Sequence, residues 1–99
     1  MPLTRTPEEP VIDAEAVNVA VMDGTGKRLV VRVTRQALEE ADQVEYSDDE
    51  LIVALDRHWG AASAVAEKKL ADRDFDGANR IGVYSADLVP PESRQFDAT

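Results

Sequence analysis

The chain has 99 residues, 43% of them hydrophobic and only 5% aromatic, which fits one globular domain with an aliphatic core and excludes a disordered protein. Its 20 acidic and 11 basic residues give a formal net charge of −9, which disfavours nucleic acid and anionic membranes as partners. Because there is no cysteine, disulfides, thiolate metal sites and cysteine nucleophiles are excluded.

The first third of the chain predicts a β-hairpin. Residues 1–14 are expected to be a disordered lead-in, because three prolines and two glutamates fall within the first ten positions. Apolar residues then alternate over 16–22 and again over 28–33, which is the period of strands with one buried face. The five residues between these runs contain two glycines and are typical of a hairpin turn.

After Thr34 the apolar period lengthens to three or four residues, which predicts two helices. Thr34 is a candidate N-cap for the first, short helix. Ser47 and Glu50 have the spacing of a capping box at the start of a long helix that is expected to end near Ala71. Gly60 lies inside this helix, either as a close-packing position or as a kink.

Alternation returns at residues 80–85, which predicts a last strand after a polar loop at 72–79. Two prolines follow, and residues 90–99 are expected to be a flexible tail. If every element reverses the chain direction, the last strand runs antiparallel to the second. The predicted fold is one α+β domain over residues 15–89, a two-layer sandwich. It has an antiparallel three-stranded sheet, in the order β-hairpin, two helices, β-strand, with both helices on one face.

One helical layer leaves the other sheet face uncovered. An uncovered face and two free edges invite self-association or a binding partner. The residues expected to form this interaction surface are Met22, Val30, Arg32 and Tyr84. Since no residue set has the spacing of a catalytic centre, the sequence favours a non-enzymatic protein-interaction module. Its expected partner is an unknown protein or a second copy of the chain.

A polar string after the long helix suggests a calcium loop. Asp72, Asp74, Asp76 and Gly77 match the opening D-x-D-x-D-G, in which alternate carboxylates supply oxygen ligands. The closing Glu of such a loop is replaced by Val83, and a strand follows where a helix is required. A polar turn is therefore favoured and no cofactor is expected, with weak calcium binding as the alternative.

His58 is the single histidine of the chain, and a general base needs an orienting partner. Its neighbours one helical turn away, Ala54 and Ala62, offer none. A partly exposed helix residue is favoured, and an enzyme that combines His58 with dispersed carboxylates is a further alternative. Trp59 lies on the apolar stripe of the helix and is expected in the core.

The pairs Ala37-Leu38 after the second strand and Asp87-Leu88 after the last one add to the hydrophobic pattern of residues 16–88. In these features the chain resembles small bacterial proteins of the domain-of-unknown-function family 1488. The resemblance implies a small two-layer α+β fold and a bacterial cytoplasmic setting. It brings no activity, because none is assigned to the family. The first ten residues also lack the apolar region of a signal peptide, so a soluble cytoplasmic protein is expected.

Overall fold

A computed structural model describes residues 3–88 of the chain. In chain order the elements are β1 Thr4–Arg5, β2 Val11–Ile12, β3 Ala16–Met22, β4 Arg28–Thr34, α1 Arg35–Asp42, α2 Asp48–Ala71, β5 Arg80–Val83 and α3 Ser85–Leu88. The strands form one sheet in the order β1-β3-β4-β5, and β2 also pairs with β3. The predicted α+β class is confirmed.

Strands β3 and β4 form the predicted antiparallel hairpin. Val17, Val19 and Val21 lie opposite Val33, Val31 and Leu29, and all six side chains are buried because residues at alternate positions share one face. This inner face is covered by both helices, as predicted. The helical side chains in the same core cluster are Leu38, Leu51, Ala54, Leu55, Ala62 and Ala66. Trp59 is only partly buried against this core.

The sheet is mixed, so the prediction of a purely antiparallel three-stranded sheet is wrong. β5 runs parallel to β4, with Val31 opposite Ile81 and Val33 opposite Val83. Parallel neighbours need a crossover connection, and the 24 residues of α2, at about 1.5 Å each, are long enough to return the chain along the sheet. The eight residues of α1 are too few for a second full reversal. The prediction assumed that α1 also reverses the chain direction, and it therefore placed β5 antiparallel to β4.

The N-terminal residues also differ from the predicted lead-in at 1–14. β1 and β2 pair antiparallel with the two halves of β3, placing Arg5 opposite Val21 and Ile12 opposite Val17. Leu3 is buried in the core, and its backbone amide donates to the Glu67 carboxylate of α2 at 3.0 Å. Prolines suit the loop between two such edge strands because they lack a backbone donor. The predicted tail at 90–99 lies outside the described residues.

The start of α2 has the predicted capping box. The Ser47 hydroxyl accepts a hydrogen bond from the Glu50 amide, and the Glu50 carboxylate accepts one from the Ser47 amide. These bonds satisfy backbone donors that a helix start leaves free. From Asp48 the helix continues without a break to Ala71. Across residues 3–88, even the longest helix falls short of the continuous apolar length that a bilayer crossing requires.

Gly60 is exposed within α2, and a Cβ added there would meet no other heavy atom within 4 Å. We therefore expect Gly60→Ala to raise the free energy of unfolding by about 0.5–1 kcal/mol, because alanine loses less backbone entropy in a helix. Urea unfolding of the two proteins side by side measures this difference. A less stable variant would contradict the open space seen around Gly60.

Candidate interaction surface

The outer face of the sheet is the face turned away from α1 and α2. Its residues are Asn18, Ala20, Met22, Arg28, Val30, Arg32, Arg80, Gly82 and, just beyond β5, Tyr84. The four residues that the sequence singled out are among them. Alternation along the strands places them there, because their neighbours in the chain point into the core.

Apolar side chains on the outer face are open to solvent. Met22 and Tyr84 are each 41% exposed, and Val11 of β2, at the margin of this face, is 64% exposed. Val30 lies half-buried in the middle of β4, opposite the small side chain of Ala20. The described part of the chain therefore leaves an apolar patch on this side of the sheet, whereas the inner face is sealed.

Two arginines of the outer face are paired with carboxylates from the N-terminal segment. Arg28 donates twice to Glu8, from Nε to Oε2 at 3.0 Å and from Nη2 to Oε1 at 2.9 Å. Arg32 donates to Asp13, and its Nη2 lies 3.7 Å from a Glu15 oxygen. The Arg32 guanidinium, helped by the Glu15 amide, holds the pKa of Asp13 well below its usual value. These charges are therefore balanced within the chain.

Tyr84 lies over Gly82 at the β5 side of the outer face. A Cβ on Gly82 would come within 2.5 Å of the Tyr84 hydroxyl oxygen, so only glycine leaves room for the ring in this position. The ammonium of Lys69 lies 5.0 Å from the ring centroid, a cation–π distance. Burial raises the pKa of Tyr84, and the carboxylate of Asp76 adds to the increase. The ring is thus held in one place by its surroundings.

Both sheet edges carry features that disfavour strand addition, although the sequence predicted two free edges. At one edge, β1 and β2 cover β3. At the other, the Lys69 ammonium donates to the Gly82 carbonyl at 2.7 Å and to the Asp87 carboxylate at 2.8 Å. Asp87 also accepts from the Tyr84 amide at 2.8 Å. Because charged side chains at an edge oppose strand addition, the outer face rather than an edge is the candidate surface.

A second group of polar side chains joins α1 to α2, and the sequence did not predict it. This group, the Asp42 cluster, consists of Asp42, Tyr46, Arg57 and His58. One Asp42 oxygen lies 2.8 Å from His58 Nε2, and the other accepts from the Tyr46 hydroxyl and from Arg57 at 3.0 Å. Helical spacing places only residues of the same helix beside His58, whereas Asp42 is 16 positions away. No local spacing signals such a contact, which depends on how the two helices pack.

The Asp42 cluster joins the two helices, and Asp42 also gives His58 the orienting partner that a general base needs. Both oxygens of Asp42 and the Nε2 of His58 are engaged within the cluster. An open depression of about 430 Å³ lies elsewhere, and His58 does not line it. Its lining residues are Thr34, Gln36, Glu40, Tyr84, Ser85 and Ala86. An enzyme built on His58 and dispersed carboxylates stays an untested prediction.

The predicted calcium ligands lie in the loop between α2 and β5. Asp72 is the C-cap of α2, and the carboxylate of Asp76 lies 3.5 Å from Arg80 Nε. Within residues 3–88, no three histidine or acidic side chains come close enough together to hold a metal ion. Weak calcium binding through Asp72, Asp74 and Asp76 stays a prediction for calorimetric titration.

The two-layer α+β fold with a mixed sheet is shared with a known protein. No family model and no curated protein matches the sequence. Among solved structures, the chain is similar to the crystal structure of a protein of unknown function from the DUF1488 family of Shewanella loihica PV-4. The two chains are 18% identical, with a TM-score of 0.70 over 82% of this chain and 90% of the other. The predicted resemblance to family 1488 is thus confirmed as a shared fold.

The Asp42 cluster predicts a pH-dependent contribution to stability. Burial opposes ionisation of Asp42, but hydrogen bonds from Tyr46 and His58 outweigh it and hold its pKa below the usual value. A depressed carboxyl pKa stabilises the fold above the unfolded-state pKa of about 3.9, and this contribution is lost as the pH falls. We expect Asp42→Asn to lower the free energy of unfolding at pH 7 by about 1 kcal/mol.

The difference between wild type and Asp42→Asn should shrink as the pH falls through the depressed pKa of the Asp42 carboxyl, where the wild-type side chain becomes protonated. Urea unfolding at pH 7 and pH 3 measures both effects. Glu45→Gln is the matched control. Glu45 is exposed in the loop between α1 and α2, and this substitution also removes one negative charge. Equal effects of the two substitutions at both pH values would contradict the stabilising contact between the two helices.

Proposed function

We propose that this chain is a non-enzymatic protein-interaction module that binds a protein partner through the outer face of its sheet. The observation that carries the proposal is the open apolar patch of Met22, Val30 and Tyr84 on a sheet whose opposite face is sealed. Apolar patches rimmed by polar groups mark interaction sites on soluble proteins. Here the rim is formed by the arginine–carboxylate pairs.

The chemistry of the outer face fits recognition of a protein surface. Its two best-defined arginines, Arg28 and Arg32, are held by carboxylates and present fixed hydrogen-bonding groups around the patch. Fixed polar groups around an apolar centre are the usual arrangement of protein–protein interfaces. Small-molecule sites are instead concave and enclose most of the ligand, whereas a sheet face is open. The net charge of −9 disfavours nucleic acid or an anionic membrane as the occupant.

Site-specific photo-cross-linking in cells that carry the native gene tests this proposal. A benzophenone side chain at position 22 should give a discrete covalent adduct with a protein, because this position lies in the patch. The same group at position 53 is the matched control, since Val53 is 62% exposed but belongs to α2. The adduct from position 22 should be lost on Val30→Glu and kept on Val53→Glu.

Two results would contradict the proposal. The first is the absence of any discrete adduct from position 22. The second is an adduct that forms equally from positions 22 and 53, because such an adduct reflects random encounter.

A further inference from the structure

We infer that the protein bound to the outer face is a second copy of this chain, which forms a two-fold symmetric dimer. The inference rests on the proposed function, because it names the occupant of the same surface. The inference follows from how the charged residues are distributed over the surface of the molecule. Each copy carries a net charge of −9, so two copies repel each other wherever acidic surfaces meet.

The outer face carries very little of this charge. Its charged side chains, with the carboxylates that face them, are Arg28, Arg32, Arg80, Glu8, Asp13, Glu15 and Asp76. Three positive against four negative groups give the outer face and its rim a net charge of −1. The other charged residues within 3–88 carry a net charge of −7, so the described surface lets two outer faces approach each other with little repulsion.

The helical layer is different. α2 begins with three consecutive acidic residues, Asp48, Asp49 and Glu50, all of them exposed. Arg35 pairs with Asp48, so contact between two copies through that end would oppose the remaining four like charges, which is costly across an interface. Of the two layers of the sandwich, only the outer face of the sheet is balanced in charge.

A balanced face is also poorly suited to a strongly charged partner. The guanidinium groups of Arg28 and Arg32 are already engaged by carboxylates of their own chain, so an acidic partner would have to displace them. A second copy has no such cost, because it offers the same mixture of both signs. In a two-fold contact each patch meets itself, so an arginine on one rim can lie beside a carboxylate on the other.

The area of the face sets the expected strength of the dimer. The 22 residues of the five strands, each covering about 3.3 Å by 4.8 Å, give roughly 350 Å² per copy. A standard stable interface buries about 800 Å² per partner. The dimer is therefore expected to be reversible, with a dissociation constant in the micromolar range, on the order of 10–100 μM.

Sedimentation equilibrium on the full chain tests this inference, from about 5 to 500 μM protein at about 50 and 500 mM NaCl. The average mass should rise with concentration from the 10.8 kDa of one chain toward twice that value. The dissociation constant should fall several-fold at the higher salt concentration, because salt screens the repulsion between two acidic bodies. If exposed ion pairs held the interface, the dissociation constant would instead rise at the higher salt concentration, which would contradict a dimer held by the apolar patch.

Substitutions locate the interface. Met22→Glu and Val30→Glu should each raise the dissociation constant at least ~10-fold, because they place new negative charge in the apolar patch. Val53→Glu adds the same charge on α2 and should leave the constant unchanged. Met22 is exposed at the end of β3, so its substitution still tests the inference if Val30→Glu fails to fold.

The outcomes separate this inference from the proposed function. A chain that stays monomeric at 500 μM in both salts overturns the dimer. If position 22 then cross-links to a different protein in cells, the interaction module stands with another partner. A dimer that Val53→Glu disrupts and Met22→Glu does not disrupt would overturn the dimer through the outer face.

Discussion

The register between β3 and β4 is the constraint on which the other features of the structure depend. It places Val17, Val19 and Val21 opposite three buried partners, so one face of the hairpin is entirely aliphatic. Helices α1 and α2 cover that face because no other surface of the sheet can bury their apolar stripes. A shift of one residue would turn every side chain to the opposite side. The identity of the outer face, with Met22 and Val30 on it, is fixed by the same register.

Two sets of contacts fix α2 against this layer. The capping box of Ser47 and Glu50 defines its first turn, and the Asp42–His58 contact joins it to the end of α1. At the far end, Lys69 reaches past the core to the carbonyl of Gly82 on β5. The helix thus forms the crossover connection that makes β5 parallel to β4. Through Lys69 it also contacts β5, the strand at that edge of the sheet. The same lysine contacts the ring of Tyr84 on the outer face.

Sequence periodicity was sufficient wherever a structure is encoded locally. The alternation of residues 16–22 and the capping box at Ser47 predicted β3 and the start of α2, and the outer-face positions of Met22 and Val30 follow from the same alternation. Two-residue strands such as β1 have no period to detect, so Leu3 gave no sign of its burial. The direction of β5 depends on how α1 is oriented, which propensity does not encode.

The charge balance of the outer face could not be predicted for a related reason. Arg32 was recognised as a surface residue, but its carboxylate partner Asp13 falls in the segment 1–14, whose composition indicates disorder, and Glu15 directly follows that segment. Prolines there suggested a chain without structure, whereas Pro7 and Pro10 lie between two strands that pair with β3. The contact between Asp42 and His58 is likewise tertiary. The composition of a segment does not show which other part of the chain it contacts.

The bond between the Leu3 amide and Glu67 joins positions 64 apart in the sequence. During synthesis on the ribosome, the residues around Leu3 therefore wait for most of α2 before their final contacts exist. The hairpin of β3 and β4 can form earlier, because its partners are close in the chain. Leu3 is therefore made before α2 but completes its contacts among the last, and a chain interrupted before residue 67 lacks the carboxylate that its amide binds.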